Sequence, residues 1–115
     1  MFRLTRSTDF KRVRRFGKSY AHPLVVLVIS PNPLEQVRIG VVAGTRVGKA
    51  VQRNLVKRRM RAVLHELQPK LLPGYDLIFL ARQPMQQASF VELQAALQTV
   101  LKRAGVLQKV EESLS

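Results

Sequence analysis

The chain has 115 residues, of which 46% are hydrophobic, so it can bury a single core and is not a disordered chain. Its formal net charge is +13, and it contains no cysteine, which excludes a disulfide framework and a zinc finger. No apolar run approaches the roughly 20 residues that span a bilayer. We therefore expect one cytoplasmic domain over residues 1–115 that does not bind membranes.

The positive charge lies almost entirely in the first part of the chain. Residues 1–70 hold 16 of the 20 lysines and arginines but only 3 of the 7 acids, whereas residues 71–115 are neutral overall. A surface of one sign indicates a partner of the opposite sign. We expect residues 1–70 to bind a polyanion and the remainder to complete the fold.

The first half of the chain predicts one helix and two strands. Residues 1–6 form a basic arm, and Ser7 or Thr8 can cap a helix that ends at Gly17. Residues 24–29 are a β-rich apolar run, which predicts a central strand. Residues 37–43 predict a second strand, and we expect it to pair with the first as a hairpin.

The second half predicts a basic helix, a strand and a final helix. The basic helix covers about residues 50–70, and a third strand covers residues 75–82. The final helix begins at a capping box that starts with Ser89, and Gly105 ends it. Residues 106–115 are expected to be a loose tail. The order α-β-β-α-β-α predicts an α+β two-layer sandwich, with helices packed on a small, mostly antiparallel sheet.

The basic helix and the loop before it are the most informative segment. Residues 46–61 contain seven cations and no acid. At 100° per residue, a polar and cationic stripe separates from a buried stripe. The polar stripe comprises Asn54, Lys57, Arg58, Arg61 and His65. The buried stripe comprises Val56, Met60, Val63, Leu64, Leu67 and Leu71.

The polar stripe predicts nucleic acid as the polyanion. Like charges packed on one face destabilise an isolated helix, so they are best explained by an anionic ligand. The alternative is a solvated face, but such faces usually mix both signs. Asn54 is a poor residue inside a helix, so it either holds a neighbour or bonds a ribose or phosphate, or it pins the preceding loop. Arg59 points away from the stripe and is interpreted as a solvent contact.

The residues that a protein nuclease requires are missing from the pattern. Such enzymes use paired carboxylates on a metal, or histidine pairs as acid and base. The acids before the tail are spaced singly, and His22 and His65 stand alone. There is no phosphate-binding glycine loop. The chain is therefore expected to perform no bond chemistry and to bind no cofactor by itself.

The spacing Arg53-Asn54-x-x-Lys57-Arg58-x-x-Arg61, preceded by residues 47–51, resembles the arginine-rich signature of the bacterial ribonuclease P protein subunit. The similarity extends to the first helix and to the strands on either side of the signature, and covers about residues 4–105. Two positions depart from the pattern. Leu55 stands where the family often has a third arginine, and Gly44-Thr45-Arg46 stands where it often has Ser-Lys-Lys.

The resemblance implies a cofactor of a catalytic RNA that removes the 5′ leader from precursor tRNA. It also implies a left-handed βαβ crossover, and Mg²⁺ that enters the holoenzyme through its RNA. Free protein is expected to bind anions such as sulfate or phosphate. The residues implied for the catalytic RNA are Arg46, Lys49, Arg53, Asn54, Lys57, Arg58 and Arg61. The residues implied for the leader are Phe10, Lys11, Arg12, Arg14, Arg15 and Phe16.

Other interpretations of the sequence stay open. Phe10, with Val13 three residues later, is equally consistent with plain core. A ribosomal or assembly protein would carry similar charge without a catalytic partner. A protein-only endoribonuclease is disfavoured by the scarcity of acids. A DNA-binding helix-turn-helix is disfavoured because strands flank the basic helix.

Overall fold

The computed structural model describes residues 2–108, which form three helices and a five-stranded mixed sheet. Short 3₁₀ turns cover Thr45–Val47, Gln68–Lys70 and Gln83–Gln87. The helices and strands, in chain order, are β1 (Phe2–Arg3), α1 (Ser7–Phe16), β2 (Lys18–Ala21), β3 (Val25–Pro31), β4 (Arg38–Ala43), α2 (Ala50–Leu67), β5 (Tyr75–Ala81) and α3 (Phe90–Ala104).

The strand order is β1-β4-β5-β3-β2. The pairs β1–β4 and β4–β5 are parallel, and the pairs β5–β3 and β3–β2 are antiparallel. The sheet is therefore evenly mixed rather than mostly antiparallel. The predicted hairpin between β3 and β4 is wrong, because β5 lies between them. Leu77, Ile78 and Phe79 of β5 are fully buried, as a central strand covered on both faces requires.

Two strands were not predicted from the sequence. β1 arises from the segment interpreted as a basic arm, where Leu4 is buried and its N–H donates to the Ile39 carbonyl at 2.9 Å. β2 is short and polar, and among the described strands it pairs with β3 alone. Short, polar strands are typical of sheet edges, where one side of the backbone meets solvent. Such strands carry little hydrophobic periodicity, which is why the pattern missed them.

The sheet is covered on both faces, so the molecule has three layers rather than the predicted two. Alternate residues of a strand point to opposite faces. Leu27 and Phe79 belong to a large core cluster under α2 and α3. Val28 and Ile78 belong to a separate cluster under α1. The α+β class is confirmed. The two-layer arrangement is wrong, because α1 covers the second face of the sheet while α2 and α3 cover the first.

The expected cap of α1 by Ser7 or Thr8 is wrong, because α1 begins at Ser7 and its N-cap residue, Arg6, makes no side-chain cap hydrogen bond. α2 ends at Leu67, and the predicted last turn to residue 70 is a 3₁₀ turn.

α3 begins and ends where the sequence indicates. Ser89 Oγ accepts from the Glu92 N–H at 3.1 Å, and Glu92 Oε1 accepts from the Ser89 N–H at 2.9 Å. Gly105 adopts φ +73° and ends α3. The predicted buried stripe of α2 is confirmed. No helix within residues 2–108 has the length and hydrophobicity needed to cross a bilayer.

Residues 106–107 pack against the fold rather than belonging to a loose tail. Val106 is buried, and Leu107 forms a β-bridge with Leu71. The rest of the predicted tail, residues 109–115, lies outside the described residues. β4, α2 and β5 form a βαβ unit with parallel neighbours, and its left-handed sense stays a prediction.

Candidate nucleic-acid interface

The turn that leads from β4 into α2 depends on one glycine. Gly48 adopts φ +148°, and a Cβ there would lie 2.3 Å from the Gln52 Oε1 atom. The same Oε1 accepts a hydrogen bond from the Lys49 N–H at 2.7 Å, which satisfies one free donor at the start of the helix. Val47 is buried and holds the turn to the core. The chain therefore enters α2 in a defined direction.

The predicted RNA-contact residues lie along one side of α2 and on this turn. We define the basic stripe as Asn54, Lys57, Arg58 and Arg61. Asn54 and Arg58 are exposed, and Lys57 and Arg61 are half-buried. On the opposite side of α2, the buried stripe packs into the large core cluster. The turn adds two exposed cations, Arg46 and Lys49.

Two further arginines of α2 are more buried than the sequence indicates. Arg53 is half-buried, and its Nε has no hydrogen-bond partner among the described residues. A buried N–H without an acceptor is unfavourable, so this side chain has bonding capacity left for a ligand. Arg59, interpreted as a solvent contact, is half-buried.

Two cavities lie beside the basic stripe. The first is open, has a volume of about 480 Å³, and is lined by Arg3, Arg58, Arg61, Ala62, His65 and Glu66. The second has a volume of about 210 Å³ and is lined by Arg3, Leu4, Thr5, Phe10, Ile39, Gly40, Val41 and Arg61. Arg3 and Arg61 line both. The second cavity therefore connects the basic stripe to α1.

α1 crosses the sheet over one row of residues. Gly40, Ile78 and Val28 are neighbours across β4, β5 and β3, and all three are buried. A Cβ on Gly40 would lie 2.6 Å from the Cζ atom of Phe10, so the aromatic ring occupies the space that a side chain would take. Phe10 is half-buried and packs on the smaller cluster. It is thus partly core while it also lines the 210 Å³ cavity.

The next row of the sheet is left open beside α1. Val42, Leu80 and Val26 are neighbours across the same three strands and are half-buried. Arg12 binds Asp76 on the other side of α1. Phe10 and Arg14 are each two residues from Arg12, about 200° around the helix, so they lie on the side of this row. We define the groove as the apolar floor of these three residues with Phe10 and Arg14 as its wall.

A polar row lies on the other side of α1, around Asp76. This carboxylate is fully buried and accepts hydrogen bonds from Arg12 Nη2 (2.7 Å), Arg38 Nε (2.8 Å), Arg38 Nη2 (2.7 Å) and Asn32 Nδ2 (2.8 Å). Asp9 adds a second carboxylate 3.6 Å from each of the two guanidinium groups. We define the Asp76 cluster as these five residues.

The contacts within the Asp76 cluster shift the pKa values of Asp76 and Arg38. Burial raises the pKa of the Asp76 carboxyl, but hydrogen bonds from Arg38 and Asn32, with the charges of Arg38 and Arg12, lower it further than burial raises it. The net pKa lies below its ordinary value. The hydrogen bond to Asp76 is also the main reason why the pKa of Arg38 is raised. Asp76 is therefore ionised at neutral pH.

The structure separates the six residues implied for the leader. Phe10 and Arg14 border the groove, whereas Arg12 is bound to Asp76. Lys11 and Arg15 are exposed on the outer face of α1. Phe16 is 72% exposed, lies on the Arg12 side, and has the Arg15 guanidinium 5.2 Å from its ring centre.

Sequence reasoning missed three parts of this surface: Arg3, the floor of the groove and the Asp76 cluster. Only Asp76 left a signal, as a lone acid at the start of an otherwise apolar strand. Within the described residues, no group of three or more His, Cys, Asp or Glu side chains could hold a metal ion. The arrangement offers cations, one half-buried aromatic ring and an apolar floor, which are the elements of single-stranded RNA binding.

Known proteins are similar to this chain over nearly its whole length. The family model described as Ribonuclease P matches residues 1–105. The ribonuclease P protein component of Chloroflexus aggregans is 40% identical over 110 residues, covering 95% of this chain and 82% of that protein. The solved RNase P protein of Staphylococcus aureus is 30% identical, with a TM-score of 0.87 and coverage of 94% and 99% of the two chains. The corresponding structure from Thermotoga maritima is 26% identical, with a TM-score of 0.81 and coverage of 90% and 97%.

Proposed function

The chain belongs to the ribonuclease P protein family, and from this premise we propose that its basic stripe binds the catalytic RNA while its groove binds the 5′ leader of precursor tRNA. As a member of that family, the chain is a subunit of the ribonuclease P endoribonuclease, a ribonucleoprotein of tRNA processing. Its partner in the holoenzyme is the ribonuclease P RNA.

The assignment of the catalytic RNA to the basic stripe is carried by one observation. Seven cations without an acid occupy residues 46–61, and the helix that holds most of them buries its opposite face. Phosphate groups would offset the repulsion between these cations. The buried Nε of Arg53 adds a donor that no described residue satisfies. Arg46, Lys49 and Asn54 extend the same surface towards the turn.

The assignment of the leader to the groove follows from its composition. The floor of Val26, Val42 and Leu80 offers apolar contact, Phe10 offers a ring, and Arg14 offers a cation. Stacking and backbone charge together bind single strands without reading their sequence, as a protein that meets many leaders requires. We place Lys11 and Arg15 at the rim, where they attract the strand electrostatically.

The chemistry is proposed to belong to the RNA. Among the described residues, the two carboxylates that lie in one cluster, Asp76 and Asp9, are both bound by Arg12 and Arg38, which supports leaving the chemistry to the RNA. Mg²⁺ is expected to enter the holoenzyme through the phosphates of the RNA. The free protein is expected to bind sulfate or phosphate at the same cations, and we propose that it acts in the cytoplasm.

The test is cleavage of precursor tRNA at low-millimolar magnesium by a bacterial ribonuclease P RNA, with and without the protein, and by the protein alone. Stimulation only when RNA and protein are combined supports the proposal. Cleavage by the protein alone would contradict the assignment of the chemistry to the RNA. Tight RNA binding without stimulation would favour the ribosomal or assembly interpretation.

A second experiment distinguishes the roles of the basic stripe and the groove. The affinity of the holoenzyme is measured for precursor tRNA and for mature tRNA, which lacks the leader. Substitutions in the basic stripe are expected to weaken assembly with the catalytic RNA. Substitutions in the groove are expected to weaken only the preference for precursor over mature tRNA. A groove variant that lowers both affinities equally would contradict the assignment of the leader to the groove.

A further inference from the structure

We infer that Arg3 is an RNA-binding residue, whose guanidinium binds a phosphate of a strand that passes between the basic stripe and the groove. The inference rests on the proposed function and adds a residue to it. Arg3 lies in the segment that the sequence indicated only as a basic arm. In the structure, backbone pairing with β4 fixes the position of Arg3.

The direction of the Arg3 side chain follows from the register of β1. Arg3 pairs with Ile39 of β4, and the Ile39 side chain lies in the core cluster under α2. Leu4, the next residue, turns to the opposite face and is buried under α1. Since successive side chains alternate between faces, Arg3 points to the α2 side. It is exposed there and lines the open cavity with Arg58 and Arg61.

Arg3 is also placed at the junction of the two surfaces. Arg3 and Arg61 are the two residues that line both cavities, and Phe10 of the groove wall lines the smaller one. Three guanidinium groups surround the open cavity, and Glu66 is the one carboxylate in its lining. Among the described residues, none of the three arginines forms an ion pair. Within the part of the chain that the structure describes, the three arginines lack a negatively charged partner, and an anionic ligand would supply it.

The competing explanation is that Arg3 only protects the edge of the sheet. A charged residue on an edge strand discourages pairing with another chain. That role needs a charge near β1 but does not need the charge to face α2. The two explanations therefore differ in what happens to RNA binding when the charge is removed.

The test compares Arg3→Gln with Arg6→Gln. Arg6 is a matched control, because it is exposed, lies in the same segment, has the same charge, and lines neither cavity. Two affinities are measured across a salt series: that of the protein for isolated ribonuclease P RNA, and that of the holoenzyme for precursor relative to mature tRNA. Thermal unfolding of each variant establishes that it is folded.

We expect Arg3→Gln to lower one of these affinities by about tenfold, the size of a charge-assisted hydrogen bond, and to reduce its salt dependence by about one phosphate contact. A loss with the isolated RNA identifies the phosphate as part of the catalytic RNA. A loss confined to the precursor-tRNA comparison identifies it as part of the leader. If Arg3→Gln matches Arg6→Gln in both while the wild-type protein still stimulates cleavage, this inference fails and the proposed function stands.

Discussion

At the scale of single residues, Asp76 connects three parts of the chain that lie far apart in sequence. It accepts hydrogen bonds from α1, from β4 and from the turn after β3. A carboxylate buried this deeply is stable only when its oxygens are satisfied. The cluster fixes α1 on the sheet and therefore fixes the wall of the groove on the other side of the same helix.

Replacing Asp76 with Asn is expected to destabilise the protein strongly. The change keeps the size of the side chain but leaves Arg12 and Arg38 without their shared carboxylate. Breaking a fully buried pair costs about 3–5 kcal/mol, and we expect about 2–3 kcal/mol here because both arginines are partly solvated. Urea unfolding measures it. Glu35→Gln, at an exposed acid, is the control, and an equal effect in the two variants would show that the cluster is not stabilising.

The lowered pKa of Asp76 predicts a dependence of stability on pH. A carboxyl whose pKa is lower in the folded protein contributes stability above its unfolded pKa, near 4, and this contribution is lost as pH falls through the folded pKa. The stability difference between wild type and Asp76→Asn should be constant from about pH 5 to 7 and shrink below pH 4. A difference that stays constant down to pH 2 would contradict an ionised Asp76 as its source.

At the scale of elements, α1 presents different residues to its two sides. Phe10 covers Gly40 and lines a cavity, whereas Phe16 is largely exposed on the side of Arg12. The family resemblance implied both rings for the leader. The sequence could not show that the two rings differ in role. The side of α1 on which each ring lies matters only once α1 packs over the row of Gly40, Ile78 and Val28.

Phe10→Ala and Phe16→Ala test this separation. Base–aromatic stacking contributes about 1–3 kcal/mol per base, so Phe10→Ala should lower the affinity for precursor relative to mature tRNA by roughly tenfold or more. Phe16→Ala should change it by less than about twofold, since its ring lies away from the groove. The measurement is equilibrium binding of both tRNAs to the holoenzyme. A larger effect of Phe16→Ala would move the leader to the other side of α1.

Gly40→Ala tests the contact between α1 and β4. The added Cβ would lie 2.6 Å from Phe10 Cζ, so the ring must shift, and overpacking of this kind costs about 1–3 kcal/mol. Gly44→Ala is the matched control, because a Cβ there has no atom within 4 Å. Chemical denaturation compares the two variants. Equal free energies of unfolding for the two variants would mean that α1 shifts to accommodate the added Cβ without strain. The contact between Phe10 and Gly40 would then not fix the wall of the groove.

The helices and the three inner strands could be predicted because each carries a local signal. The apolar stripe of α2, the capping box of α3 and the apolar run of β3 are examples. The strand order could not, since pairing of β5 between β3 and β4 depends on contacts between distant residues. The same holds for the site. The cations of α2 were readable from their spacing, whereas Arg3, the groove floor and the Asp76 cluster exist only after the sheet has formed.

At the scale of the whole molecule, the net positive charge destabilises the folded protein. A net charge of +13 on 115 residues favours expansion through self-repulsion, and most of it lies on one part of the chain. The Asp76 cluster neutralises only Arg12 and Arg38 among these cations. If RNA binds the basic stripe as proposed, its phosphates supply a counter-charge to the cations of that stripe, and we then expect RNA binding to stabilise the folded protein.

Sulfate is expected to raise the melting temperature of the free protein more than chloride does at equal ionic strength. Screening depends on ionic strength and acts in both salts, whereas a divalent anion held between arginines binds only the folded state and stabilises it by mass action. Arg58→Gln removes one cation of the open cavity and should reduce the difference between the salts. Because sulfate also stabilises proteins by exclusion from their surface, Arg82→Gln, at an exposed arginine that lines neither cavity, supplies the reference for that general effect. Equal melting temperatures in the two salts would mean that the cations form no specific anion sites, and the attraction for RNA would then come from net charge alone.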